Sequence, residues 1–150
     1  MSEKKSCVVC GHDADYEINV AVCGERCRNA LLPSFFLDNI EELTRKNRDY
    51  RRVLFTSQQQ QLVLMSISAQ DRGVPEEVHP HTSQFIRVEE GQGVAIINGR
   101  KRKLNTHDAL LVPAGVRHEI RTTGVYTLKL YSIYSPPEHP PDLVQRRRET

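Results

Sequence analysis

The chain has 150 residues, 27% of them charged and 38% apolar, and a formal net charge of +2. That length buries one full domain plus a small appendage, and the composition is ordinary for a globular fold. A charge so near balance argues for neither a nucleic-acid nor a membrane partner, and no apolar run approaches the length of a bilayer span.

The polar start Met1-Ser2-Glu3-Lys4-Lys5 lacks the apolar core of a signal peptide, so an intracellular, cytoplasmic protein is expected. All the cysteines, Cys7, Cys10, Cys23 and Cys27, fall in the first 27 positions as two close pairs. In a reducing compartment such pairs stay thiolates, and their spacing suits one tetrahedral structural zinc. Gly11 permits the sharp bend after Cys10, residues 16–22 suit a hairpin strand, and residues 26–32 read as a short helix stopped before Pro33. This unit, residues 1–37, resembles treble-clef zinc knuckles; the spacing also matches a classical finger, but Ala14 and Val20 stand where that finger needs aromatic and leucine core residues. His12 is an alternative ligand.

Leu31, Leu32, Phe35, Phe36 and Leu37 read as core packing. Asp38 or Asn39 caps the next helix, Glu42 lies in the reciprocal capping position, and Ile40, Leu43 and Tyr50 supply a buried stripe. Arg45, Arg48 and Arg52 share another face of that helix. Residues 57–61, Ser followed by four Gln, read as a turn, and Leu62–Ile67 as a buried strand. Short strands follow at 93–97, 100–104, 109–112, 118–122 and 126–134, separated by Gly91, Gly93, the Asn98-Gly99 hairpin signal and Pro113-Ala114-Gly115. Short strands at regular spacing indicate a small barrel. Pro136, Pro137, Pro140 and Pro141 take the chain out of it as an extended strap carrying His139, and residues 145–150 read as a frayed tail.

Four of the six histidines lie between Gly73 and Thr122. Alternation puts Gln84 with Ile86 and Val88 on one face of a strand, and His118 with Ile120 and Thr122 on one face of another. His79 and His81 also point the same way if extended, so metal-binding groups converge inside an apolar shell. Glu76, Glu77 and Glu119 are the carboxylates nearest in sequence, and Arg87 and Arg117 are candidates to steer an anion.

Gly73, five residues, His79-Pro80-His81, then Gln84, six residues and Gly91, followed later by Pro113-Ala114-Gly115 and His118, resemble the two motifs of the cupin superfamily. The stretch 39–144 is similar to small single cupins of the mannose-6-phosphate isomerase-like type. Gln84 stands where the family has glutamate, the gap from His81 to it is a residue or two short, His107 replaces a glycine and Thr122 an asparagine. The resemblance implies a mainly β cupin double-stranded β-helix, or jelly-roll, barrel over residues 38–144 with a leading helix, joined to the small zinc-binding unit. It further implies a barrel metal held by His79, His81, Gln84 and His118: iron, manganese, nickel, cobalt or zinc. A homodimer with a small-molecule ligand in the barrel is expected. The functions implied are a metal-dependent isomerase-like or dioxygenase-like enzyme on a small anionic or sugar-like substrate, or a non-catalytic sensing module whose zinc unit binds protein or nucleic acid.

Overall fold

The computed structural model describes residues 35–148 and two short strands before them, β1 (Asp15–Glu17) and β2 (Val20–Val22). These pair antiparallel, Asp15 opposite Val22, so the stretch 16–22 expected as one strand of a hairpin holds parts of two. The four cysteines, their zinc site and the helix expected over 26–32 lie outside the described residues.

The second unit, residues 38–150, begins with α1 (Ile40–Lys46). Asn39 caps it, its side chain accepting the Glu42 N–H at 3.1 Å, while Glu41 and Glu42 in the first turn and Arg45 and Lys46 in the last complement the helix dipole. Asn47 ends the helix in an extended conformation. That early stop separates Arg45, Arg48 and Arg52, expected on one helical face: Arg48 lies in the following turn and Arg52 in a strand. Phe35 and Leu37, expected in the core, are 71% and 86% exposed.

Ten strands follow. They are β3 (Arg51–Thr56), β4 (Gln61–Ile67), β5 (Val74–Glu77), β6 (Ser83–Glu90), β7 (Gly93–Ile97), β8 (Arg100–Leu104), β9 (Ala109–Val112), β10 (His118–Thr122), β11 (Leu128–Ser135) and β12 (Val144–Gln145). They form two antiparallel sheets, ordered β12-β3-β4-β11-β6-β9 and β5-β10-β7-β8. The first contributes Val63, Met65, Ile67, Ile86, Val88, Leu128, Leu130 and Tyr134 to a common core, and the second Val74, Ala95, Leu104 and Ile120. Two sheets joined by one apolar layer are the jelly-roll arrangement. The turns follow from local chemistry: Asn98 and Gly99 have φ of 47° and 78°, as a type I′ hairpin requires. A Cβ on Gly73 would sit 2.1 Å from the Ile120 carbonyl oxygen, so only glycine lets β5 enter beside β10.

The prolines after β11 make a strap, as expected, but the chain beyond it does not fray at once. Val144 and Gln145 pair with Arg52 and Arg51, and the Arg148 guanidinium donates to the Asp71 carbonyl at 2.7 Å. No helix among the described residues is long and apolar enough to cross a membrane.

Candidate metal centre

Glu77 and His118 face each other across the β5–β10 ladder. Between His118/Glu77 and Ile120/Val74 the register shifts, three residues of β5 spanning two of β10. This bulge falls at Pro75 on an edge strand, where a missing N–H breaks no ladder bond. Its consequence is that both Val74 and Glu77 turn inward, whereas simple alternation from Val74 would have turned Glu76 in. Glu76 faces solvent and pairs with Arg117 at 3.4 Å.

His79 follows in the turn between β5 and β6. The Gly115 N–H donates to its carbonyl at 2.8 Å, which ties this turn to the Pro113-Ala114-Gly115 turn ahead of β10. Glu77, His79 and His118 thereby each offer one ligand atom within 4.8 Å of the others. Both imidazoles are buried, their centroids 5.3 Å apart. His118 Nδ1 lies 3.0 Å from the Val116 carbonyl and His79 Nδ1 lies 3.2 Å from a Glu138 carboxylate oxygen on the strap. With Nδ1 protonated against those acceptors, each ring keeps its Nε2 lone pair for an ion, the usual outer-shell arrangement of metal-ligating histidines. His79 Nε2 is buried without a hydrogen-bond partner, although Glu77 Oε2 is 3.4 Å away. A buried nitrogen left orphaned beside a carboxylate and a second imidazole is a donor set fitted to a divalent ion.

Gln84 reaches the same point from the opposite sheet. Its Oε1 lies 2.9 Å from His118 Nε2, and its Nε2 donates to Ser132 Oγ at 3.1 Å and Tyr134 Oη at 2.9 Å. Burial pushes the Tyr134 hydroxyl well above its ordinary range, so it remains a phenol. The cavity lined by Glu77, Gln84, His118 and Ser132 measures about 10 Å³, the space of one water or one ion.

Three of the four residues named from sequence thus meet: His79, Gln84 and His118. His81 does not. The chain bends at Pro80 rather than continuing β5, and His81 emerges exposed on the far side of that bend. The inward pair is Glu77-Val78-His79 instead of His79-Pro80-His81, so His79 stands in the second position with four residues before Gln84, and the short gap is explained. Glu77 also supplies the negative charge that a site of three imidazoles and an amide lacks. Arg87 lies on the outer face of β6 near Glu89, at 3.5 Å, and neither it nor Arg117 borders the cavity. Glu119 pairs outward with Arg121. His107, in the expected glycine position, has φ of 75°, the conformation for which glycine is preferred.

The strap closes over the centre through Gln61, buried at the start of β4. Its Oε1 accepts the N–H groups of Glu138 and His139 at 3.3 and 2.9 Å, and its Nε2 donates to the His139 carbonyl at 2.7 Å. The His139 ring stands edge-on to Tyr134, centroids 5.0 Å apart. Burial, reinforced by the Arg51 guanidinium, pushes that imidazole down to about 4.

Residues 63–134 match the family described as "Cupin domain". The chain is 40% identical over 124 residues to the uncharacterized protein YrkC of Bacillus subtilis, covering 75% of this chain and 66% of that protein, just under two thirds of its length. It is also 40% identical over 117 residues to the uncharacterized protein L612 of Acanthamoeba polyphaga mimivirus, covering 75% of this chain and 72% of the relative. The crystal structure of BH2720 from Bacillus halodurans superimposes with a TM-score of 0.72 at 42% identity, covering 76% of this chain and 90% of that one.

Proposed function

The chain belongs to the cupin superfamily, and we propose that its barrel holds one divalent transition-metal ion through Glu77, His79 and His118, with Gln84 beside them. The observation that carries this reading is the buried, unpartnered His79 Nε2 in a cluster whose two Nδ1 atoms already face acceptors. Two imidazoles and a carboxylate with open positions suit iron(II) and also serve manganese, nickel, cobalt or zinc. Such an ion would polarise a carbonyl, or as iron bind oxygen with a substrate, so the enzymes this site would make are isomerase-like or dioxygenase-like. The chain's own contribution is to hold both histidines in one tautomer through Val116 and Glu138. A cavity of about 10 Å³ admits no sugar-sized molecule, so turnover would require the barrel interior to open. The same closure favours, as the second reading, a non-catalytic module in which the ion braces the barrel.

The cysteine quartet is proposed to hold a separate structural zinc. Metal content per chain, measured on protein purified from metal-replete medium, tests both sites. Wild type should carry two ions; Cys10→Ser should lose the zinc alone, Glu77→Gln and His118→Ala the barrel ion alone, and His81→Ala neither. A wild type whose only ion vanishes in Cys10→Ser removes the barrel site, and an unchanged count in Cys10→Ser removes the zinc knuckle.

A further inference from the structure

On the opposite face of the six-stranded sheet lies a second concavity, of about 620 Å³. Lys129 of β11 is in register with Ser66 of β4, and both alternate with Leu130 and Met65, which line the metal-site cavity. The two sites therefore occupy opposite sides of one strand pair. Five cations line the outer one: Arg48 from the turn after α1, Lys129, and Arg146, Arg147 and Arg148 beyond β12. Among the described residues that line it, Asp71 is the one carboxylate, and its Oδ2 already accepts from the Ser68 backbone N–H and hydroxyl at 2.7 and 2.6 Å. Among the described residues none of the five forms an ion pair.

Two features separate this pocket from a merely solvated basic surface. Two of the cations are fixed through their side chains, the Arg148 guanidinium donating to the Asp71 carbonyl and the Lys129 ammonium to the Asn47 carbonyl, and the Tyr50 N–H anchors the backbone at Arg146 by donating to its carbonyl at 3.4 Å, while the Arg48, Arg146 and Arg147 side chains are exposed. Lys129 is half-buried, and burial pushes it below the ordinary lysine range, with Glu90 acting against that shift and Arg48 in the same direction. Like charges held together within a Debye length repel, and a multiply charged anion offsets that cost. Guanidinium forks match phosphate oxygens bidentately, and the hydroxyls of Ser66, Ser68 and Thr127 add further donors. Among the described residues no aromatic ring lines the pocket, and none offers a platform for a stacked base. We propose that this concavity binds a compact, multiply charged phosphate anion, of which a diphosphate group is the simplest form. Its volume falls within the range of small-molecule sites.

The test is calorimetric titration of the full chain with inorganic pyrophosphate at about 0.1 M salt, where long-range attraction is screened. One saturable site per chain is expected. The double change Arg146→Ala with Arg147→Ala should weaken it at least about tenfold, as should Arg48→Ala, because each removes charge-assisted bonds. Lys101→Ala with Lys103→Ala, on the basic strand β8, should leave it unchanged. The proposal falls if wild type shows no saturable binding, or if the β8 variant weakens binding as much as the pocket variants. It also falls if a single-stranded oligonucleotide or an acidic peptide binds more tightly than pyrophosphate through the same arginines.

Discussion

Gln84 sets the charge of the centre. Its amide is buried, Nε2 donating to Ser132 and Tyr134 and Oε1 lying 2.9 Å from His118 Nε2, so a change to Glu alters the charge with almost no change in shape. Without metal, that carboxylate would be an added buried anion beside Glu77 and should lower stability by about 1–3 kcal/mol. With a divalent ion present it gains a countercharge. Gln84→Glu should therefore widen the gap between the melting temperatures of metal-stripped and manganese-loaded protein. An unchanged gap would place Gln84 away from the ion. Alternation along β6 and β10 was enough to put Gln84 and His118 on interior faces, because both strands are regular where those residues lie. It failed for Glu77, since the bulge at Pro75 shifts parity inside a four-residue strand, and it misplaced His81, since a pair of histidines two apart looks like a strand until Pro80 bends it. The readable signal was the Pro itself, which an edge-strand bulge accommodates and a central ladder does not.

At the scale of elements, the strap was legible from its four prolines, while its fastening was not. Gln61 sits in a run of like residues read as a turn, and only its place as the first residue of β4 makes it a buried clamp for Glu138 and His139. The strap should be sensitive to acid through His139. Its imidazole lies at about 4 in the closed form against an ordinary 6.5, so between those values the open strap binds a proton that the closed strap excludes. Closure is fully favoured above about pH 6.5 and is lost as pH falls toward 4. Amide-exchange protection at Glu138 and His139, corrected for the intrinsic rate, should decline through that window in wild type and much less in His139→Gln. Equal profiles in the two proteins would show that His139 does not govern closure.

At the scale of the whole molecule, four sheet edges are left by the two open sheets, and three of them are blunted. β5 carries Pro75 and a bulge, β8 presents four consecutive exposed cations, and β12 has two residues followed by three arginines. Short strands, prolines and charge are the usual guards against edge pairing. β9 is short as well, at four residues, but carries neither a proline nor a charge within it, and its Leu111 is 67% exposed. From that edge a cross-strand row of apolar residues runs over the outer sheet face, with Leu111 opposite Phe85, Phe85 opposite Ile133 and Ile133 opposite Leu62. This row lies clear of both the metal centre and the basic pocket. We expect a homodimer formed along β9, antiparallel about a two-fold axis, which would satisfy the free backbone groups and cover Leu111 together. Light scattering over a hundredfold range of concentration should give twice the chain mass for wild type. Leu111→Lys should give the chain mass with its barrel metal retained, because a lysine on the edge adds the missing guard without touching the interior. The matching control, Lys103→Leu on β8, should leave the dimer intact. A wild type that is monomeric throughout, or a Leu111→Lys variant that remains dimeric, would mean that β9 is not the contact.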